Sequence, residues 1–234
     1  MNYRAELKYS ISYADAALVR IRLQGLMKKD PHATEQGIYT IRSLYFDDYY
    51  NTAYNEKYMG ALDRQKFRIR IYNYSDDVIH LERKIKWNDY IYKQTSSLNV
   101  GEVNAIIAGN YDCLLSSSCP LNQLFYYECI SRVMRPRVVI DYEREPYILD
   151  VGNVRINFDF NVRAGVGGVA DFFDEQMATI NVLEKDQIIM EVKFTEFLPE
   201  VIRQVLPPES FDFVAVSKYV LGCDKTLFKR VSSF

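Results

Sequence analysis

The chain has 234 residues, 48% of them hydrophobic and 26% charged, and carries a formal net charge of −2. That length fits one domain spanning 1–234, with enough apolar residues for a sizeable core. A near-neutral total excludes the molecule-wide positive field that gathers nucleic acid or anionic lipid, so no nucleic-acid partner is expected and any anion site must come from locally concentrated charge.

The first strand is predicted over Tyr3 to Ile11. Ser12, three residues before Asp15, has the spacing of a helix cap, and Ala16, Leu18, Val19, Ile21, Leu23, Leu26 and Met27 recur at helical period to about Lys29. Asp30-Pro31 ends that helix. Strands follow at Ile38–Asp47, Lys66–Asn73, His80–Ile85 and Tyr90–Gln94, with a short helix over Tyr49–Met59. Helices are predicted at Gly101–Ala108 and Leu121–Met134. Further strands fall at Arg137–Arg144, Val154–Val162, Thr179–Leu183 and Ile188–Phe194. Pro199 opens a short helix to Leu206, and Ser217–Leu221 begins a last one. Many strands with few βαβ units predict an α+β chain that is mainly antiparallel β.

The segment Met1–Ser10 is charged and does not read as a secretory signal, and no run of about twenty apolar residues marks a membrane span. Cys113, Cys119, Cys129 and Cys223 show no metal or disulfide spacing, which with only His32 and His80 argues against zinc and for a reducing, cytoplasmic setting. The run Gly165–Val169 has no following Lys-Ser/Thr, so it is not a phosphate-binding P-loop.

Residues two apart on a strand share a face. On that basis Arg4, Glu6 and Lys8 fall together, as do Lys66, Arg68 and Arg70; Glu82, Lys84 and Lys86; Arg155, Asn157 and Asp159; and Glu191 with Lys193. The opposite faces are apolar, for example Phe67, Ile69 and Ile71. A solvated sheet face accounts for any one strand. The repetition of arginine with single acids across five strands suggests instead a closed, tunnel-like β-barrel with charged faces inward and helices packed outside. Such an interior is tolerable only around water and a polyanion. Arginine suits bidentate phosphate contacts. Glu6, Glu82, Asp159 and Glu191 would then neutralise bases or hold Mn2+ or Mg2+.

Ordered segments carry a family resemblance: R-x-E-x-K-Y at Arg4–Tyr9, S-L-Y-F-D-D at Ser43–Asp48, K-F-R-I-R-I-Y at Lys66–Tyr72 and L-E-R-K-I-K at Leu81–Lys86. They continue through Arg135–Arg144, Arg155–Arg163, M-E-V-K-F at Met190–Phe194 and S-K-Y-V-L-G at Ser217–Gly222. Together they resemble the VTC polyphosphate polymerase domain of the CYTH-like, triphosphate tunnel metalloenzyme superfamily. The resemblance implies a transfer of the ATP γ-phosphate to a growing polyphosphate with Mn2+ or Mg2+. Lys8, Arg68, Arg70, Lys84 and Lys193 would form the catalytic lining. Arg4, Lys66, Lys86, Arg137, Arg144, Arg155, Arg163 and Lys218 would bind phosphate, and Glu6, Glu191, Asp159 and Glu82 are the metal candidates. The superfamily often opens E-x-E-x-K, whereas Arg4 stands at the first acid here, which suits the polymerase branch better than a two-metal hydrolase. Two alternatives stay open: an inorganic triphosphatase, and a non-catalytic module binding polyphosphate or inositol phosphates. A membrane-protein partner chain would be needed for any transporting complex.

Overall fold

The computed structural model describes residues 4–31, 33–88, 90–195, 197–206 and 216–228. Tyr3, the predicted start of the first strand, and His32 lie outside them. The described strands are β1 (Ala5–Ile11), β2 (Lys28–Lys29), β3 (Tyr39–Asp47), β4 (Arg64–Tyr72), β5 (Ser75–Trp87), β6 (Tyr90–Leu98), β7 (Arg135–Leu149), β8 (Val154–Gly165), β9 (Thr179–Asn181) and β10 (Ile188–Phe194). They form one antiparallel sheet in the order β1-β10-β8-β7-β3-β4-β5-β6, with β2 on β7 and β9 on β8. The sheet curls until its two edge strands meet. They touch through a single antiparallel bridge, Arg4 to Ile91, rather than a continuous ladder.

The helices are α1 (Tyr13–Leu23), α2 (Thr52–Tyr58), α3 (Val100–Ile107), α4 (Asp112–Leu115), α5 (Pro120–Ser131), α6 (Glu200–Val205) and α7 (Lys218–Thr226). Ser12 caps α1 through a reciprocal box with Asp15, as its spacing predicts. The helix stops at Leu23, earlier than the apolar period suggests. Lys28 and Lys29 are instead drawn into a strand beside Ile148 and Tyr147 of β7. The short α4 carries no periodic signal in the sequence.

Two apolar clusters cover the convex face. One packs Leu44, Phe46, Phe67, Ile69 and Leu81 under α3, α4 and α5. The other packs Ile156, Phe158, Met190 and Val192 under α1 and α6. A third cluster lies on the concave side, where Tyr45, Val138, Ile140 and Tyr142 meet Tyr219 and Cys223 of α7 and Tyr54 of α2. The expectation of helices only outside is therefore corrected. The concave face has an apolar stretch as well as a charged one, and α7 covers it. The contact is close: a Cβ on Gly222 would come within 2.2 Å of Ile140 Cδ1.

Candidate active site

The charged half of the concave face is built by alternation. Cross-strand register sets Glu6 opposite Lys193, Lys8 opposite Glu191, Lys66 opposite Lys84 and Arg68 opposite Glu82. All of these but Glu82 converge with Arg70, Arg144 and Lys218 on an interior space of about 50 Å3, which opens to a mouth of about 170 Å3 beside Lys57, Arg64 and Lys86. Asp47 holds the α7 end in place. Its carboxylate accepts the N–H groups of Ala53 and Tyr54, which starts α2, and the Tyr219 hydroxyl at 2.6 Å, which anchors α7 and so positions Lys218.

The acids organise the bases. Arg144 donates from Nε to Asp159 Oδ1 at 2.6 Å and from Nη2 to Oδ2 at 2.7 Å, and Lys218 Nζ reaches the same Oδ2 at 2.6 Å. Glu191 lies among Lys8 at 3.1 Å, Lys193 at 2.8 Å and Arg144 at 3.0 Å. Glu82 takes Arg68 at 2.6 Å and Lys93 at 2.8 Å. Arg70 donates to the Ser43 and Tyr142 hydroxyls at 3.0 and 2.9 Å. Glu6 holds Lys84 at 2.7 Å through Oε2, while its buried Oε1 makes a looser ion pair with Lys8 at 3.3 Å.

Eight cations face four carboxylates in this cluster, and the protonation pattern follows. Burial opposes ionisation of Glu191, but Lys193, Lys8 and Lys218 outweigh it and hold its carboxyl well below the carboxylate range. Burial likewise resists charge on Lys8, yet Glu191 and Glu6 push its ammonium upward. Lys66 shows the opposite balance. Burial and the nearby Lys84 and Lys8 push it well down, and among the described residues it has no hydrogen bond or ion pair. Burial brings Lys193 down to about 8. Bases left short of acid partners in a confined space form a site that favours an added anion.

Of the sequence-predicted residues, the fold brings together Glu6, Lys8, Lys66, Arg68, Arg70, Lys84, Arg144, Glu191, Lys193 and Lys218. Glu82 and Asp159 stand directly behind them, and Lys86 lies at the mouth. Four others are placed elsewhere. Arg4 is exposed at the seam between β1 and β6. Arg137 falls at a β-bulge and donates to Asn51 Oδ1 at 2.5 Å. Arg155 is 54% exposed at the far end of its strand, 3.8 Å from Asp30. Arg163 is turned to the convex side by a bulge around Asn161, which has φ 50°, and meets Glu143 and Tyr74 there. Ser43 and Tyr45 escape notice as lining residues, although they alternate with buried Leu44 and Phe46 in S-L-Y-F-D-D. Tyr45 accepts from Arg68 at 3.1 Å, and Arg68 and Arg70 overcome burial to hold its phenol below the ordinary value.

Among the described residues, no three or more acid, His or Cys side chains converge as a protein-only metal cage. Hard divalent ions can be held by one or two carboxylates together with substrate phosphates. Glu6 Oε1, which has only the looser 3.3 Å contact to Lys8 and lies diagonal to Glu191 across the β1–β10 pair, fits that mode. Asp159 and Glu82 have both oxygens taken by cations and stand behind the lining, which fits them to orient bases instead; Glu191 is also paired through both oxygens but faces the enclosed space.

A curled antiparallel sheet with a cation-lined interior is the fold expected from the resemblance carried by the sequence segments. The chain belongs to the VTC domain family, whose model matches residues 3–227. No curated protein matches the sequence. Among solved structures it is similar to a putative adenylyl cyclase from Hippeastrum, described as having a dominant triphosphatase activity. The identity is 13%, 97% of each chain is covered, and the TM-score is 0.55. It is also similar to the PH1819 protein of Pyrococcus horikoshii (11% identity; 95% of this chain and 99% of that one; TM-score 0.49). A putative adenylate cyclase of Bacillus halodurans matches at 11% identity over 88% of this chain and 87% of that one, with a TM-score of 0.47.

Proposed function

We propose that this chain works on triphosphates inside its basic tunnel, as an ATP-dependent polyphosphate polymerase that moves the γ-phosphate of ATP onto a growing chain. The observation that carries the reading is the convergence of eight cations on one confined space with only four acids, and with Lys66 left, among the described residues, without an acid partner. Phosphoryl transfer needs positioning and charge neutralisation more than covalent help. Arg68, Arg70 and Arg144 are pre-oriented by Glu82, Ser43, Tyr142 and Asp159, so they meet a phosphate without reorganising. Lys8, Lys84, Lys193 and Lys218 add ammonium groups to the same space, each held on an acid. A divalent ion, Mn2+ or Mg2+, would be held by Glu6 and Glu191 with phosphate oxygens and would neutralise developing charge.

The second reading is hydrolysis of inorganic triphosphate or ATP in the same tunnel. It is favoured by the fold shared with the Hippeastrum protein, which is described as a triphosphatase. A non-catalytic module binding polyphosphate or inositol phosphates would use the same bases.

The test is incubation of the pure protein with ATP and Mn2+, with products run on a polyphosphate gel beside an Arg70→Ala variant. A ladder from the unaltered chain alone supports the polymerase. Released phosphate without a ladder moves the assignment to the triphosphatase. Tight polyphosphate binding with neither product points to the binding module.

A further inference from the structure

Beside the tunnel mouth lies a second, larger space of about 380 Å3, within the range of small-molecule sites. It shares Arg64 and Lys86 with the mouth, so the two adjoin. Its character differs from the tunnel. Trp87 and Ile85 give it apolar wall, while Glu56 and Asp63 are acids. Acids repel a second phosphate group, but they accept hydrogen bonds from amino and ring N–H groups.

The side chains here are available. Trp87 is 56% exposed, and among the described residues its indole packs against no other ring and donates no hydrogen bond. The Glu56 carboxylate makes no hydrogen bond or ion pair among the described residues, and burial raises it from its ordinary value. By contrast, Asp47 and Asp48 in the same wall spend their oxygens on backbone N–H groups that start α2. Asp63 accepts the Asn88 N–H at 3.3 Å through Oδ1, which leaves Oδ2 beside the open Glu56 carboxylate. An exposed indole, these acid oxygens and a cationic gateway to a polyanion tunnel match the two halves of one molecule: a flat, amino-bearing ring at one end and a run of phosphates at the other.

We infer that this side pocket seats the base of a nucleoside triphosphate whose phosphates pass Arg64 and Lys86 into the tunnel, with Trp87 as its stacking surface. The inference rests on the triphosphate reading above and adds the group that distinguishes a nucleotide from inorganic triphosphate. The ring lies on the indole face, and Glu56 and Asp63 accept from its edge. Base–aromatic stacking is sequence-tolerant and adds about tenfold or more in affinity.

Trp87 is the sole tryptophan of the chain, so its emission reports on this pocket alone. The experiment titrates the full chain with ATP and, separately, with tripolyphosphate at equal ionic strength, following tryptophan fluorescence and binding heat together. The expected result is that both ligands bind, that ATP alone quenches the tryptophan, and that Trp87→Ala weakens ATP about tenfold while leaving tripolyphosphate unchanged. If both bind with equal affinity and neither alters the emission, the pocket assignment is overturned and the tunnel reading stands. If neither binds, both are overturned.

Discussion

Arg144 and Asp159 face each other across β7 and β8 in a two-pronged contact at 2.6 and 2.7 Å, and Lys218 of α7 closes on the same carboxylate. One buried acid thus ties two strands and a helix while aiming two cations at the tunnel. Removing one partner of such a buried pair costs about 3–5 kcal/mol. Asp159→Asn should accordingly lower the melting temperature in calorimetry. Its deficit should narrow when tripolyphosphate is added, because an anion bound only by the folded state replaces the missing charge. An unchanged melting temperature would refute the anchoring role.

Lys66 represents the opposite case, a half-buried base without an acid. Lys66→Met should raise stability by about 0.5–2 kcal/mol, since sites built for ligands are strained without them. The same variant should bind tripolyphosphate at least several-fold more weakly. Chemical denaturation and isothermal titration read the two effects, and a variant both less stable and unchanged in binding would contradict this account.

Glu6 offers a carboxylate oxygen, Oε1, that is held only by a 3.3 Å contact to Lys8. With Glu6→Gln, the gain in tripolyphosphate affinity on adding Mn2+ or Mg2+ should largely vanish. Affinity in the presence of a chelator should hold or rise, because one negative charge has left the tunnel. Calorimetry with and without the metal separates these terms, and an unaltered metal-dependent gain excludes Glu6 as a ligand.

Lys57 at the mouth is brought down to about 8 by burial, with Arg64, Lys8 and Lys86 adding to the effect. A bound polyanion favours its charged form, so binding above that pH requires proton uptake. Polyanion affinity should therefore be full below pH 8 and decline as pH rises through it. Lys57→Met should make the decline of log affinity with pH shallower, Lys193 carrying the remainder. A slope identical in both proteins counts against Lys57.

Gly222 lets α7 lie on Ile140. Gly222→Ala forces that fully buried side chain aside and should destabilise the fold by about 1–3 kcal/mol. Because α7 carries Lys218, tripolyphosphate binding should weaken in parallel. Thermal melts and titration of one preparation test both.

Much of the tunnel was legible because strand alternation has a period of two, and the charged residues kept to it on β1, β4, β5 and β10. Two of the failures share one cause. A bulge shifts parity by one, so Arg163 faces outward although it stands four residues from inward Asp159, and Arg137 leaves the lining at a second bulge. No composition signal marks either bulge beyond Asn161 in a left-handed conformation. Arg155 kept its parity but ran past the end of the enclosed space. The placement of α7 was invisible for a different reason: an apolar residue reads the same whether it faces an outer core or an inner one, so Val138, Ile140 and Tyr142 gave no hint of a helix on the concave side.

The seam where β1 meets β6 has a consequence for life in a crowded solution. The long edges of a β-sheet are rows of unpaired N–H and C=O groups that can template the addition of another chain. Here the curl turns the two edge strands toward each other, with the Arg4–Ile91 bridge between them and the Glu6–Lys84 ion pair reaching across from β1 to β5. Each edge shields the other, and lysine and arginine stand along the gap. A protein with an open, cation-rich interior thereby avoids presenting sticky strand edges to its neighbours.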